Sequence, residues 1–181
     1  KNATAQVVGD AHGVTATELA NIEKSVGEAH QAVMGHLRAG SLGYANLPTH
    51  AEYRRQVHAL VDRYKGNTTD LVVLGIGGSA LGNIAVQTAL NPLTYNLMSD
   101  KQRGGPRLFV LDNVDPCLVG DVLKLLGRRL KTTLINVISK SGETAETASQ
   151  FMIFRDKLKK SLGDGFAERI VATTDAEKGT L

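Results

Sequence analysis

Asp70-Leu71-Val72-Val73-Leu74-Gly75-Ile76-Gly77-Gly78-Ser79-Ala80-Leu81-Gly82 is the stretch whose reading decides the fold. Leu71 to Leu74 is an unbroken apolar run rich in Val and Leu, the pattern of a strand buried on both faces. A glycine-dense turn follows, after which Ala80, Leu81, Ile84, Ala85 and Thr88 recur at helical spacing. A strand that breaks through glycines straight into a helix gathers free backbone N–H groups and the positive end of the helix dipole at one point. That point is a natural seat for an anion, most often a phosphate.

Outward from this stretch, the chain alternates strands and helices. Arg107 to Leu111 reads as a second strand, Thr132 to Ile138 as a third and Arg169 to Thr173 as a fourth. Asp115-Pro116 marks a helix start, with Asp as N-cap and Pro at the first helical position. Leu118, Val119, Val122, Leu123 and Leu126 form its buried face, and Gly127 ends it. After the third strand, Ser139 to Thr144 turns into a long helix with Ala148, Phe151, Phe154, Leu158 and Leu162 inward. Asn91 to Pro106 is a long polar connection punctuated by Gly and Pro.

Two helices precede the first strand. Residues 1 to 13 show no periodicity and read as a frayed lead-in. Thr15-Ala16-Thr17-Glu18 is a capping box opening an apolar stripe of Leu19, Ile22, Val26, Ala29, Val33 and Leu37. Thr49 to Glu52 reads as a second box, opening a helix that carries Tyr53, Val57, Leu60 and Tyr64 on one face. A third, Thr174 to Glu177, is expected to start a helix that the chain abandons at Leu181, so the sequence reads as a piece of a longer protein. The fold class is α/β, a doubly wound parallel-sheet sandwich. Residues 1–68 form a helical lead-in expected to pack on the sheet, and residues 69–181 form the α/β domain.

Composition narrows the function classes. The 181 residues are 42% hydrophobic, 22% charged and 4% aromatic, ordinary for a globular chain with a sizeable core. A net charge of +3, from 21 basic and 18 acidic residues, argues against nucleic acid, and so does the scarcity of aromatic stacking platforms. No apolar run is long enough to span a membrane, and no basic-then-apolar leader opens the chain. The single cysteine, Cys117, excludes an internal disulfide framework and fits a reducing compartment.

In an open parallel sheet, ligands sit at the carboxyl ends of the strands. There the first strand supplies Gly75, Gly77, Gly78 and Ser79, and the third supplies Ser139, Lys140, Ser141, Gly142 and Thr144. If the two strands are neighbours, their hydroxyls and two helix N-termini converge into a donor-rich cradle for a phosphate. Other phosphate motifs fit worse. Gly75-x-Gly77-x-x-Ala80 meets the loose dinucleotide fingerprint, but the strand-end acid, Asp112, comes much too late. A Walker loop fails outright, since Gly82 is followed by Asn83-Ile84. His12, His30, His36, His50 and His58 all precede the sheet and read as surface or packing residues, Cys117 reads as a small helix-start residue, and no metal constellation appears.

Gly75-Ile76-Gly77-Gly78-Ser79-x-Leu81-Gly82, followed by Ser139-Lys140-Ser141-Gly142-Glu143-Thr144-x-Glu146-Thr147, strongly resembles the glucose-6-phosphate isomerase family. Leu111 to Pro116 and Ala172 to Asp175 also resemble its first sugar-isomerase (SIS) domain, a flavodoxin-like Rossmann-type unit. The resemblance implies that Ser139, the Lys140 backbone, Ser141 and Thr144 hold a substrate phosphate, with Gly78 and Ser79 against the sugar. It implies aldose–ketose isomerisation of glucose 6-phosphate and fructose 6-phosphate without a cofactor, in the cytoplasm, by a homodimer of the full-length enzyme. It also places the proton-transfer glutamate, the ring-opening histidine and lysine, and an arginine after this region, so no catalytic residue is assigned and the fragment is expected to be inactive alone. Glu143 stands where some members carry a hydroxyl, and its carboxylate is expected to point away from the phosphate. The alternatives are a stand-alone sugar-phosphate-binding regulatory module and a nucleotide-binding domain.

Overall fold

The structure is a computed structural model that describes residues 4–177 and 179–180. Its Cα framework divides into two compact units, Lys1–Asp62 and Arg63–Leu181.

In the first unit, helix α1 spans Ala16–Arg38 and starts at the expected capping box. The Glu18 N–H donates to Thr15 Oγ1 at 3.2 Å, and the Thr15 N–H returns to Glu18 Oε2 at 2.8 Å. The hydrogen bonds from Thr15, backbone first, hold the Glu18 carboxyl below its usual range. The α1 stripe of Leu19, Ile22, Val26 and Val33 is exposed. Helix α2 spans Ala51–Tyr64, but Thr49 does not cap it. Pro48 sits in a 3-10 turn over Leu47–Thr49, and there the Thr49 hydroxyl donates back to the Asn46 carbonyl at 3.0 Å. The lead-in is more ordered than its lack of periodicity suggests. Ala5–Val8 makes one helical turn, closed by a bridge between Thr4 and Val14.

The second unit is built on four parallel strands: β1 (Asp70–Leu74), β2 (Arg107–Leu111), β3 (Thr133–Ile138) and β4 (Ile170–Thr173). Their order is β2-β1-β3-β4, with β1 flanked on both sides, as its uninterrupted apolar run requires. Leu74 pairs with Leu111 on one side and Val137 on the other, so β1 and β2 end level and β3 runs one residue further. Helix α3 (Gly78–Leu90) connects β1 to β2, α4 (Pro116–Leu126) connects β2 to β3, and α5 (Ala145–Leu162) connects β3 to β4.

The core lies on one face of the sheet. Val72, Leu74, Ile135 and Val137 pack with Val119, Val122 and Leu126 of α4 and Phe154 and Leu158 of α5. Each such side chain contributes roughly 1.5–3 kcal/mol on burial. The chain crosses from β1 to β2 in one direction and from β2 to β3 in the other, so crossovers of one hand place α3 on the opposite face. Ala80 is buried and Asn83, Ile84 and Gln87 are half-buried, whereas Leu81, Ala85 and Thr88 are exposed. The inward face of α3 is thus rotated from the one its apolar spacing suggests.

Two local features depart from expectation. The connection from Asn91 to Pro106 holds a 3-10 turn at Tyr95–Leu97 and a helical turn at Asp100–Arg103 capped by Ser99. Asn96 uses its side-chain amide as a strand residue would: it accepts from Leu108 N–H at 2.9 Å and donates to Leu108 O at 2.6 Å. After β4 the expected helix at Thr174 to Glu177 does not form. Asp175 Oδ1 instead accepts the Glu177 N–H at 2.9 Å, a local turn that competes with helix.

Asp70 opens β1 fully buried. It accepts from Arg107 Nε at 2.6 Å, Arg129 Nε at 2.9 Å and the Thr69 hydroxyl at 2.7 Å. Burial pushes its carboxyl up, but these hydrogen bonds outweigh burial and hold it below the usual carboxylate range. The cluster ties β1, β2 and the 3-10 turn before β3 together at the amino end of the sheet.

Candidate functional site

At β1 the direction of crossing reverses. The loop from β1 leads to α3 on one face, the loop from β3 leads to α5 on the other, and a crevice opens between them at the carboxyl ends. Gly75 lets the two turns approach: a Cβ there would stand 2.8 Å from Ser79 Cβ and 3.2 Å from the Ile138 carbonyl. Gly77 holds φ 57° and ψ −117°, a conformation essentially reserved for glycine, and it launches α3. The Asn83 side chain then donates to Ser79 O at 2.9 Å, bracing the first turn of α3.

The crevice is an open hollow of about 980 Å³. The turn after β1 lines it with Ile76, Gly78 and Ser79, and the turn after β3 lines it with Lys140, Ser141, Glu143 and Thr144. A third side comes from Asp175 and Gly179, beyond β4. That last segment folds back on the β3 turn, where the Thr180 hydroxyl donates to Gly142 O at 3.0 Å.

Five of the six site residues read from the sequence, Gly78, Ser79, Lys140, Ser141 and Thr144, therefore line one cavity. Ser139 does not. It is 1% exposed and lies beneath the turn, where its hydroxyl accepts the Gly142 N–H at 3.1 Å and meets the Thr144 hydroxyl at 3.0 Å. Its N–H is used as well, donating to Thr173 O at 3.1 Å. The last residue before the turn is still held in the sheet, so Ser139 sets the position of Thr144 rather than facing the hollow. Ser141 is exposed, and its hydroxyl accepts the Glu143 N–H at 3.2 Å.

Both helices that start at the hollow lack a side-chain cap. Helix α3 begins at Gly77, and the N-cap of α5, Thr144, leaves the first turn unsatisfied by any side chain. By contrast, Asp115 caps α4 on the same edge of the sheet, accepting from Cys117 N–H at 2.7 Å and Leu118 N–H at 3.2 Å. Uncapped first turns leave donors free for an anion. Lys140 is the only basic residue among the described lining residues, and Glu143 is an exposed residue that also lines the hollow.

Sequence reasoning missed the third wall. Thr174-Asp175 reads equally well as a helix start, and only the fold-back onto Gly142 brings Asp175 to the cavity. It also missed Gln150, fully buried in α5, whose amide donates to Asn113 O at 2.7 Å and holds the loop after β2 beside the site. All five histidines fall in the first unit. Among the described residues, no group of three or more His, Cys, Asp or Glu could hold a metal ion. No helix of the described residues is long and apolar enough to cross a membrane.

The architecture and sequence match known proteins. A glucose-6-phosphate isomerase of Carboxydothermus hydrogenoformans is 46% identical over 78% of this chain and 30% of its own length. Another, from Rubrobacter xylanophilus, is 39% identical over 93% of this chain and 38% of its own length. The crystal structure of a hypothetical protein from Thermus thermophilus superposes with a TM-score of 0.69 at 32% identity, over 89% of this chain and 36% of that one. The chain thus spans about a third of the length of the curated relatives it matches. The family model for phosphoglucose isomerase covers residues 48–180, both turns of the hollow included. The chain belongs to the phosphoglucose isomerase family.

Proposed function

We propose that this chain is the phosphate-binding first domain of a glucose-6-phosphate isomerase, with residues 69–181 as its SIS domain and residues 1–68 as a helical lead-in. The observation that carries the reading is the convergence of two uncapped helix starts and the hydroxyls of Ser79, Ser141 and Thr144 on one hollow at the switch point of the sheet. The phosphate of glucose 6-phosphate or fructose 6-phosphate sits there. It accepts from the hydroxyls and from backbone N–H groups of both turns, including that of Lys140. Gly78, with no side chain, leaves room for the sugar. Ser139 holds Thr144 in place from below. Charge-assisted bonds of this kind contribute about 1.5–3 kcal/mol each.

Holding the phosphate fixes the sugar for aldose–ketose exchange, in which a base moves a proton between two adjacent carbons. No residue of this chain is assigned that step. The full-length protein works as a cytoplasmic homodimer in glycolysis and gluconeogenesis, without a cofactor.

The test is thermal unfolding with glucose 6-phosphate. The ligand is expected to raise the Tm of the chain, while Ser141→Ala and Thr144→Val each weaken binding by about tenfold. Isomerase activity of the chain alone is expected to be absent. A Tm unmoved by glucose 6-phosphate, or variants that bind as well as the parent, would contradict the reading.

A further inference from the structure

Glu143 is a lining residue that a phosphate seat does not require. The Ser141 hydroxyl accepts its backbone N–H at 3.2 Å, which places residue 143 between two donors of the proposed cradle, Ser141 and Thr144. Residue 143 is exposed and is one of the residues that line the hollow. Among the described lining residues the titratable groups are Lys140 and Glu143 from the turn after β3 and Asp175 from the segment after β4, with none from the turn after β1. Asp175 Oδ1 already receives the Glu177 N–H, whereas among the described residues no hydrogen bond or ion pair engages the Glu143 carboxylate.

We propose that Glu143 is a specificity-determining residue that sets the cradle against the doubly ionised phosphate. The inference rests on reading the hollow as a phosphate seat. Repulsion between two charges is proportional to each of them. A fixed carboxylate therefore costs a dianion twice the free energy it costs a monoanion, and the weakening of affinity is squared. A sugar phosphate passes from monoanion to dianion near pH 6. Lys140 and Asp175 are present in both proteins, so for a given ionic form of the phosphate their contributions cancel in the ratio of affinities. The exposed position also makes the effect sensitive to salt.

The experiment is calorimetric titration of glucose 6-phosphate into the chain, its Glu143→Gln variant and an Asp164→Asn control, at pH 5 and pH 8. Asp164 is an exposed acid in the 3-10 turn before β4, at the opposite edge of the sheet, and its substitution removes the same unit of charge. The Glu143→Gln variant is expected to bind about threefold tighter than the parent at pH 5 and about ninefold tighter at pH 8. At pH 8 the ratio should shrink toward about threefold in 0.5 M salt. The control should match the parent at both pH values. A Glu143→Gln ratio of one, a ratio equal at the two pH values, or the same gain in the control overturns the proposal while leaving the phosphate seat intact. No binding by any of the three proteins removes the seat, and the proposal with it.

Discussion

Asp70 and Ser139 stand at opposite ends of the sheet, and each holds a site together without meeting solvent. Asp70 is buried with two guanidinium partners, so removing its charge leaves Arg107 and Arg129 facing one another. Asp70→Asn is expected to cost about 3 kcal/mol, read from urea unfolding at pH 7. Because its folded carboxyl titrates below the usual range, its contribution is complete above the unfolded value near pH 4. It is lost as pH falls through the lower folded value. The variant should therefore lack that part of the acid limb, and an unchanged limb would remove the cluster from the stability account. Ser139→Ala strips an acceptor from the Gly142 N–H and a partner from Thr144, at about 1–2 kcal/mol. It should also weaken glucose 6-phosphate binding although Ser139 does not face the hollow, and full affinity in this variant would argue against positioning through Thr144. The two residues differ in legibility. Ser139 could be placed at the site because its turn is a local pattern, but its burial could not, since that depends on β4 pairing through Thr173. The partners of Asp70 lie 37 and 59 residues away, where no local spacing reveals them.

At the level of the elements, approach between neighbours decides what works. Gly75 marks the contact of the two turns, so Gly75→Ala drives a methyl against Ser79 Cβ and the Ile138 carbonyl and forces the turns apart. It should reduce glucose 6-phosphate affinity by more than tenfold, with unfolding showing a loss of about 1–3 kcal/mol. Gly77→Ala meets no neighbouring atom and acts only through backbone strain, also about 1–3 kcal/mol. Normal binding in the Gly75 variant would separate the two turns functionally. The strands were readable from the sequence because buried parallel strands are continuous apolar runs. The cap of α4 was readable because Asp-Pro acts over three residues. The second and third capping boxes misled because Thr49 and Asp175 satisfy local turns first, and α3 turned a different face inward because its apolar residues nearly encircle it.

Across the whole chain, the apolar surface left in water is large. Leu90, Leu93 and Leu97, in and after α3, are 77%, 94% and 86% exposed, and α1 exposes its own stripe. Exposed apolar side chains mark a contact surface where they form a contiguous patch, and a double substitution tests that for Leu93 and Leu97. Leu93→Lys with Leu97→Lys is expected to leave unfolding stability within about 0.5 kcal/mol, since neither side chain is packed. In sedimentation it should reduce concentration-dependent association of the chain, and unaltered association would place the contact elsewhere. A parallel sheet follows from alternating elements, and the two strand-end turns rich in Gly, Ser and Thr, legible as local patterns, line the crevice. The third wall was not legible, because it requires the chain beyond β4 to fold back on Gly142.

The central claim is that the turns after β1 and β3 act together as one phosphate seat, and amide NMR of the chain titrated with glucose 6-phosphate tests it most directly. The largest shifts are expected at Gly78 and Ser79 together with Lys140 to Ala145, saturating along one binding curve. Shifts confined to one turn, or centred on the apolar stripe of α1, would contradict it.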